Sequence, residues 1–285
     1  MIPDFVTNTL YLADTLPKGY PDFYSQFETV LKECEIDFAL LTPTKDIWAV
    51  DYMPIQITKD KFIQFLYEPY YLTKYKDWFK TTTDVNSICK SISLSTRKST
   101  IKVDGGNIVK THDKVIMCDR VFDENPTINS KDLIKQLENL LEVDKIIFIP
   151  TDSFDQFGHA DGVVRFYDDK TVLINSFSGF SKWKEETEFN LRLRLTLHNA
   201  GLNYIEIPCN TETNKKDIDA KGIYINYLEM KEAIIIPSYG MNEDEEVYKK
   251  FTELFEDKVI KIVASNDIAK DGGVLNCISW NILID

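Results

Sequence analysis

The sequence predicts an α/β protein made of five ββα-type units arranged around a pseudo-fivefold axis. Two observations carry this prediction. A helix pattern, a short apolar strand and a hairpin recur in that order, and three of the strands begin near Lys145, Asn203 and Lys258, about 55 to 60 residues apart. Each helix is accompanied by about three strands, whereas a doubly wound sheet would give one strand per helix.

The three clearest copies lie in the second half of the chain. "INSKDLIKQLENLLE" predicts an amphipathic helix with its leucines on one face and Ser130 at the N-cap. "KIIFIPT" follows as a strand, and "GVVRFYDDKTVLINSF" as a hairpin. The next copy reads "KEETEFNLRLRLTLHNAG", with Gly201 as its C-cap, then "NYIEIPC" and "GIYINYLEMKEAIIIPSYG". The last copy reads "NEDEEVYKKFTELFE", "KVIKIVAS" and "GVLNCISWNILID".

The first half repeats this order less regularly. "YPDFYSQFETVLKECE" and "IDFALLT" precede a hairpin from "WAVDYMPIQI" to "KFIQFLYEP". "TTDVNSICKSISL" and "STIKVD" precede "GNIVKTHDKVIMCD". The last hairpin of the chain lacks a second strand, and "NTLYLAD" near its beginning is predicted to supply it and close a ring. No Pro-, Gly- or Ser-rich linker divides the chain, so we expect a single domain over residues 1–285.

Composition narrows the classes of partner. The formal net charge of −13 argues against a nucleic-acid surface and against an anionic membrane, and is compatible with a small cation. Five widely spaced cysteines without a CxxC, together with three histidines, predict no metal site. The first residues have no basic segment followed by an apolar core, and no apolar run is long enough to cross a membrane. We therefore expect a soluble, cytoplasmic protein with reduced thiols.

In a closed ring, the loops between each short strand and its hairpin would converge at one end of the axis. These loops carry polar residues in all five units: Trp48 and Asp51, Asp104 and Asn107, His159 and Asp161, Asn226, and Cys277. Each has an ordinary structural reading when taken alone, because Asp beside Gly or Pro marks turns and most cysteines are buried and inert. Their matching positions in a repeat favour a shared site.

The chemistry of this set is specific. A cysteine thiolate is a nucleophile, and a histidine can protonate a leaving group and then activate water. Two carboxylates match the planar N–H donors of a guanidinium. The set therefore suits attack on a guanidinium carbon, whereas ester or peptide hydrolysis needs donors for an oxyanion.

The same residues resemble those of the guanidino-group-modifying, or pentein, superfamily, and most closely the agmatine deiminase family, which also contains bacterial-type peptidylarginine deiminases. The resemblance runs over residues 48–282 and combines His-x-Asp, a following Arg-Phe and a late Gly-Gly-x-x-x-Cys. The segments that carry it are "WAVDYMPIQ", "DGGNIV", "GHADGVVRF", "YINYLEMKEAIIIPSYG" and "GGVLNCISWNI".

The resemblance implies a five-bladed α/β propeller of ββαβ units around a central site, without a metal or organic cofactor. It implies that Cys277 attacks the guanidinium carbon, that His159 protonates departing ammonia and then helps water attack, and that Asp51 and Asp161 hold the guanidinium nitrogens. It also implies that Asp104 steadies the histidine and that Trp48 packs beside the substrate. Asn226 matches a substrate-side Asn, and a structural role in its strand is an equal alternative. A homodimer is suggested.

Three features depart from the family pattern. Val50 stands where Trp-x-Arg-Asp has its arginine, and Asp104 stands where agmatine deiminases usually have Glu. The chain is also shorter than a typical agmatine deiminase, so we expect fewer loops over the substrate.

Two classes of function follow. The first is hydrolysis of a small cationic guanidine to a urea, with agmatine to N-carbamoylputrescine first, free or peptide-bound arginine second and an amidinotransferase behind both. For arginine, Lys45, Arg165 and Lys270 are the candidate partners of the α-carboxylate. The second class is a non-catalytic pentein that only binds.

Overall fold

A computed structural model of the 285-residue chain describes residues 1–152, 155–176, 184–211, 214 and 218–284. Residue 177, the end of the predicted hairpin at 162–177, and residue 285 lie outside the described residues. The strands are β1 (Thr9–Ala13), β2 (Asp37–Leu41), β3 (Ile55–Thr58), β4 (Lys61–Leu66), β5 (Arg97–Lys102), β6 (Val109–Lys110), β7 (Lys114–Cys118), β8 (Lys145–Ile149), β9 (Val164–Asp168), β10 (Thr171–Ser176), β11 (Asn203–Pro208), β12 (Leu228–Glu229), β13 (Ala233–Ser238), β14 (Val259–Ala264) and β15 (Ser279–Ile282).

The helices fall into two groups. One helix of each unit packs on the outside of the ring: α1 (Pro21–Glu33), α2 (Val85–Ser91), α3 (Ser130–Leu141), α4 (Lys184–Ala200) and α5 (Glu243–Leu254). Single α-turns occur at Leu16–Gly19, Ala49–Tyr52, Tyr70–Thr73, Arg120–Glu124 and Asn266–Ala269. Turns of 3₁₀ helix occur at Asp4–Val6, Trp78–Lys80, Gly105–Asn107 and Ala160–Gly162.

The described strands form five three-stranded sheets with one topology, β3-β4-β5, β6-β7-β8, β9-β10-β11, β12-β13-β14 and β15-β1-β2. In each sheet the first two strands are antiparallel, and the second pairs in parallel with the strand that follows the next helix. The helix is the crossover that a parallel pair requires. The predicted five-bladed α/β propeller of ββαβ units is confirmed.

The fifth blade joins the two ends of the described chain. Strand β1 pairs antiparallel with β15 from Thr9 opposite Ile282 to Leu12 opposite Ser279, and it pairs in parallel with β2. The prediction that "NTLYLAD" completes the last hairpin is therefore confirmed. Because β1 has a partner on both edges, it is the central strand of its sheet.

Some predicted elements end differently. Asn129, and not Ser130, caps α3, because its side chain accepts the Lys131 N–H while Ser130 already belongs to the helix. The segment predicted as a strand at 48–57 begins with the helical turn Ala49–Tyr52. Gly201 follows α4 with a φ of +78°, as predicted for a C-cap.

Apolar side chains of each unit fill the space between the sheets and the outer helices. On α3, Leu133, Leu137 and Leu141 are buried, as the predicted apolar face requires. Among the described residues, no helix combines the length and the apolar character needed to cross a bilayer.

Closure of the ring gives a first prediction. Leu12 on β1 is fully buried, whereas Leu40 on the adjacent β2 is 38% exposed. We expect Leu12→Ala to lower the free energy of unfolding by about 2 to 5 kcal/mol, because it leaves a cavity in the closing sheet. Leu40→Ala, the matched control, should change it by less than about 0.5 kcal/mol in urea unfolding. Equal losses in the two variants would contradict this role of β1.

Candidate active site

Segments from all five blades meet at the centre of the ring. Two glycines make the closest approach possible, since a Cβ on Gly105 would lie 1.9 Å from the Val50 carbonyl oxygen. A Cβ on Gly106 would lie 2.7 Å from Asp51 Oδ1 and 2.8 Å from His159 Nδ1. The Gly-Gly pair is therefore needed here for packing as well as for a turn.

His159 lies between two buried carboxylates. Its Nε2 is 3.1 Å from Asp104 Oδ2, and its Nδ1 is 3.5 Å from Asp51 Oδ1. Asp51 Oδ1 also accepts the Gly106 backbone N–H at 3.0 Å. Both carboxylates therefore lie against the imidazole of His159, which can donate a hydrogen bond to each of them when it is protonated.

Cys277 lies in the loop before β15 and is buried. Its Sγ is 3.3 Å from Asn226 Oδ1 and 3.6 Å from Asp161 Oδ2. Asn226 Oδ1 also accepts the Cys277 backbone N–H at 3.3 Å. Asn226 therefore contacts the sulfur atom that would act as nucleophile, in addition to holding its loop.

Trp48 and a second glycine pair border the thiol. A Cβ on Gly273 would lie 2.7 Å from Trp48 Cζ3 and 2.9 Å from Cys277 Sγ. A Cβ on Gly272, whose φ is +105°, would lie 2.5 Å from the Phe157 ring. The glycine backbone thus passes between aromatic rings and the sulfur, where any side chain would collide.

The electrostatics of the site follow from burial and from its carboxylates. Although burial opposes the charged ring, the Asp51 and Asp104 carboxylates hold the pKa of His159 well above its usual value. The stability gained from this shift is present below about pH 6.5 and is lost as the pH rises through the raised pKa. Burial, followed by the Asp161 and Asp51 charges, raises the pKa of the Cys277 thiol. The protein alone therefore favours an imidazolium and a neutral thiol.

Val50 lies beside the site and lines a cavity of about 30 Å³ with Asp4, Lys110, Asn276 and Ser279 among others. The Ser279 hydroxyl is buried and has no hydrogen-bond partner among the residues that the structure describes. Lys110 and Arg165 both pair with Asp4, so two cations already surround this carboxylate without an arginine at position 50.

The three candidate cations for an α-carboxylate are engaged elsewhere. Arg165 is 3% exposed and donates to Asp4 Oδ2, Asn276 Oδ1 and the Tyr227 carbonyl. Lys270 pairs with Asp267 at 2.8 Å. Lys45 Nζ donates to the Phe79 carbonyl at 3.3 Å on the surface.

The structure adds two residues that the sequence reasoning missed. The Tyr71 hydroxyl donates to Asp104 Oδ2 at 3.2 Å, so it shares this oxygen with His159. The Asn276 amide donates to Asp161 Oδ2 at 2.7 Å. The only sequence signals were an aromatic-rich segment around Tyr71 and the position of Asn276 next to Cys277. Asn107, from the predicted loop set, instead holds the Cys118 backbone N–H.

The seven predicted site residues are thus brought together in two contacting groups, His159 with Asp51 and Asp104, and Cys277 with Asp161, Asn226 and Trp48 across Gly273. Asp51 acts electrostatically on Cys277, which links the groups. Within the residues that the structure describes, no three His, Cys, Asp or Glu side chains are grouped as ligands of a metal ion.

Comparison with known proteins identifies related chains. The family model described as Porphyromonas-type peptidyl-arginine deiminase matches residues 21–282. A Streptococcus mutans protein named "Putative agmatine deiminase" is 23% identical over 241 residues, which cover 72% of this chain and 63% of that protein. This chain therefore spans less than two thirds of that relative.

Solved structures share the fold. A C. jejuni agmatine deiminase variant with substrate bound superposes with a TM-score of 0.81 at 17% identity, over 98% of this chain and 95% of that one. An Enterococcus faecalis agmatine deiminase gives a TM-score of 0.76 at 17% identity, over 99% and 94% of the two chains.

The contact between His159 and Asp104 can be tested by titration. We expect Asp104→Asn to lower the midpoint of the His159 titration by at least about one pH unit, because one of the charges that stabilise the imidazolium is removed. The measurement is the NMR chemical shift of the ring, assigned with His159→Gln. Asp123→Asn, at an exposed position of the short helix Arg120–Glu124, is the control and should leave the midpoint unchanged. An unaltered midpoint in Asp104→Asn would contradict the described pairing.

Proposed function

The chain belongs to the Porphyromonas-type peptidyl-arginine deiminase family, and from this premise we propose that it is a guanidine deiminase, a hydrolase that converts a guanidinium to a urea and ammonia. The observation that carries the proposal is the buried Cys277 thiol beside Asp161, with His159 held between Asp51 and Asp104.

Substrate binding would use the negative charge of the site. Asp51 and Asp161 present carboxylate oxygens to the planar N–H groups of the guanidinium, which can pair with both in its plane. Burial makes such charge-assisted hydrogen bonds stronger than they would be in water. Trp48 would lie along the aliphatic part of the substrate and exclude water.

The bound cation would also activate the thiol. In the free protein the Asp161 and Asp51 charges disfavour the thiolate, in addition to burial. A guanidinium that pairs with these carboxylates cancels their effect and places positive charge next to Sγ, so the thiol can lose its proton to solvent. The nucleophile would thus form in the complex with substrate.

The first half-reaction forms a covalent intermediate. The Cys277 thiolate attacks the guanidinium carbon and forms a carbon–sulfur bond, which gives a tetrahedral adduct. Asp104 holds Nε2 of His159, so Nδ1 is the ring nitrogen that faces Asp51 and the substrate. Nδ1 gives its proton to the departing nitrogen, the carbon–nitrogen bond breaks, and ammonia leaves an amidino-thioether on Cys277.

The second half-reaction returns the free enzyme. The neutral His159 takes a proton from water, which adds its oxygen to the amidino carbon. Breakage of the carbon–sulfur bond, with loss of the hydroxyl proton to solvent, then releases the urea and the thiolate. The thiolate and the ammonia each take up one proton from solvent. In sum, one guanidinium and one water give one urea and one ammonium ion.

We propose agmatine as the substrate, with N-carbamoylputrescine as the product. Arg165 and Lys270 pair with Asp4 and Asp267, and Lys45 is exposed with its Nζ on the Phe79 carbonyl, so none of the three is a buried, unpaired cation that could hold an α-carboxylate. The net charge of −13 favours a dication over zwitterionic arginine at long range. Relatives named agmatine deiminases give further support. Arginine, free or in a peptide, and a binding protein without catalysis are the alternatives.

The nucleophile is tested by substitution. We expect Cys277→Ala to reduce ammonia release from agmatine by at least about a thousandfold, because no covalent intermediate can form. Cys34→Ala, at a buried cysteine that follows α1, is the control and should retain activity. The enzyme proposal fails if no arginine derivative yields ammonia and Cys277 also resists alkylation by a haloacetamidine.

The substrate is tested by competition among guanidines. We expect kcat/KM for agmatine to exceed that for arginine by at least about a hundredfold, since the α-carboxylate would be desolvated without a partner. An N-acyl arginine amide, which lacks both termini, separates peptide-bound arginine from the free amino acid. A higher kcat/KM for either arginine compound would replace agmatine as the substrate.

A further inference from the structure

We propose that Asn276 is a positioning residue that orients Asp161 toward the substrate cation and is itself fixed by Arg165. This inference rests on the proposed function, because it assigns Asp161 to the guanidinium. It concerns a side chain that would not touch the substrate and would act only through the carboxylate.

Asn276 bridges two charged groups of opposite sign. Its Nδ2 donates to Asp161 Oδ2 at 2.7 Å, and its Oδ1 accepts from Arg165 Nη1 at 2.8 Å. All three side chains are buried, with exposures of 7% for Asn276, 3% for Asp161 and 3% for Arg165. In such surroundings a hydrogen bond has a large effect on the orientation of its partners.

The chemistry of the neighbours allows one orientation of the amide. A guanidinium has only donors, so it must face the carbonyl oxygen of Asn276, and an ionised carboxylate has only acceptors, so it must face the NH₂ group. A flipped amide would set donor against donor and acceptor against acceptor. The NH₂ group is therefore always available to Asp161.

Arg165 is fixed by several contacts besides the one with Asn276. Its Nη2 donates to Asp4 Oδ2 at 2.9 Å, its Nη1 also donates to the Tyr227 carbonyl at 3.0 Å, and its guanidinium lies 4.6 Å from the centre of the Tyr227 ring. These partners come from different blades. Arg165 therefore cannot follow a moving Asn276, and the amide is anchored to the rigid part of the ring.

The consequence for Asp161 concerns its two oxygens. Oδ2 receives the Asn276 amide and lies 3.6 Å from Cys277 Sγ. Among the described contacts, Oδ1 has none, so it is the oxygen left for a guanidinium N–H.

The experiment compares two alkylating agents on Cys277. Chloroacetamidine carries a cationic amidinium that the site carboxylates can bind, whereas iodoacetamide is neutral and reports the reactivity of the thiol alone. The readout is the alkylation rate constant for chloroacetamidine divided by that for iodoacetamide, which we call the cation ratio. We expect this ratio to fall at least about tenfold in Asn276→Leu, which keeps the size of the side chain and removes the amide.

Asn276→Asp separates positioning from a structural role. It keeps an acceptor for Arg165, whose charge offsets that of the new carboxylate, so folding should be retained. At a pH where the two carboxylates do not share a proton, the new side chain turns an acceptor toward Asp161. We expect the same fall in the cation ratio. If Asn276 only satisfied Arg165, this variant would keep the ratio and the proposal would be wrong. Should Asn276→Leu fail to fold, Asn276→Asp decides alone.

The control lies in the same segment. Asn281 donates to Thr7 Oγ1 and the Glu229 carbonyl, away from Asp161, so Asn281→Leu should leave the ratio unchanged. The wild type separates the two proposals. Without a preference for the amidinium in wild type, the guanidine-binding function itself fails, whereas a preference that both Asn276 variants preserve overturns only this inference.

Discussion

Closure of the ring by β1 is the constraint on which the rest of the structure depends. Each blade contributes one part of the central site, and the parts lie far apart in sequence. Cys277 precedes β15, Asp51 and Asp104 precede β3 and β6 in two other blades, and His159 and Asp161 precede β9 in a fourth. Key contacts of the site join different blades, such as His159 with Asp104 and Cys277 with Asn226. The pairing of β1 between β15 and β2 therefore holds the chemistry as well as the fold.

The central site buries several ionisable side chains next to one another. Three aspartates, one histidine and one thiol lie at or below 8% exposure, where uncompensated charge is costly. The protein offsets part of the cost with hydrogen bonds, from the Gly106 backbone to Asp51, from Tyr71 to Asp104 and from Asn276 to Asp161. The net charge of the site remains negative, and a bound planar cation would neutralise it.

The sequence predicted the blades and most of the central residues because both repeat. Cys277, His159 and the aspartates stand at equivalent places in different units. Because equivalent loops of a closed ring meet at its centre, these residues lie close together. It could not predict the contacts of Asn276. This side chain is held by Arg165, and Arg165 pairs with Asp4 near the other end of the chain. Tyr71 lies in a segment without repeat, where composition gives no direction for a side chain. The absence of the family's arginine at Val50 likewise did not reveal that Lys110 and Arg165 already pair with Asp4.

The position of β1 in the fifth sheet also sets an order in time. A ribosome delivers β1 and β2 early and β15 only near the end of the described chain, so the central strand of that sheet waits with one edge open. During this interval Asp51, His159 and Asp161 have already been made, but the loop that carries Cys277 has not. The Cys277 thiol can therefore reach Asp161 only after β15 has been made and has paired with β1.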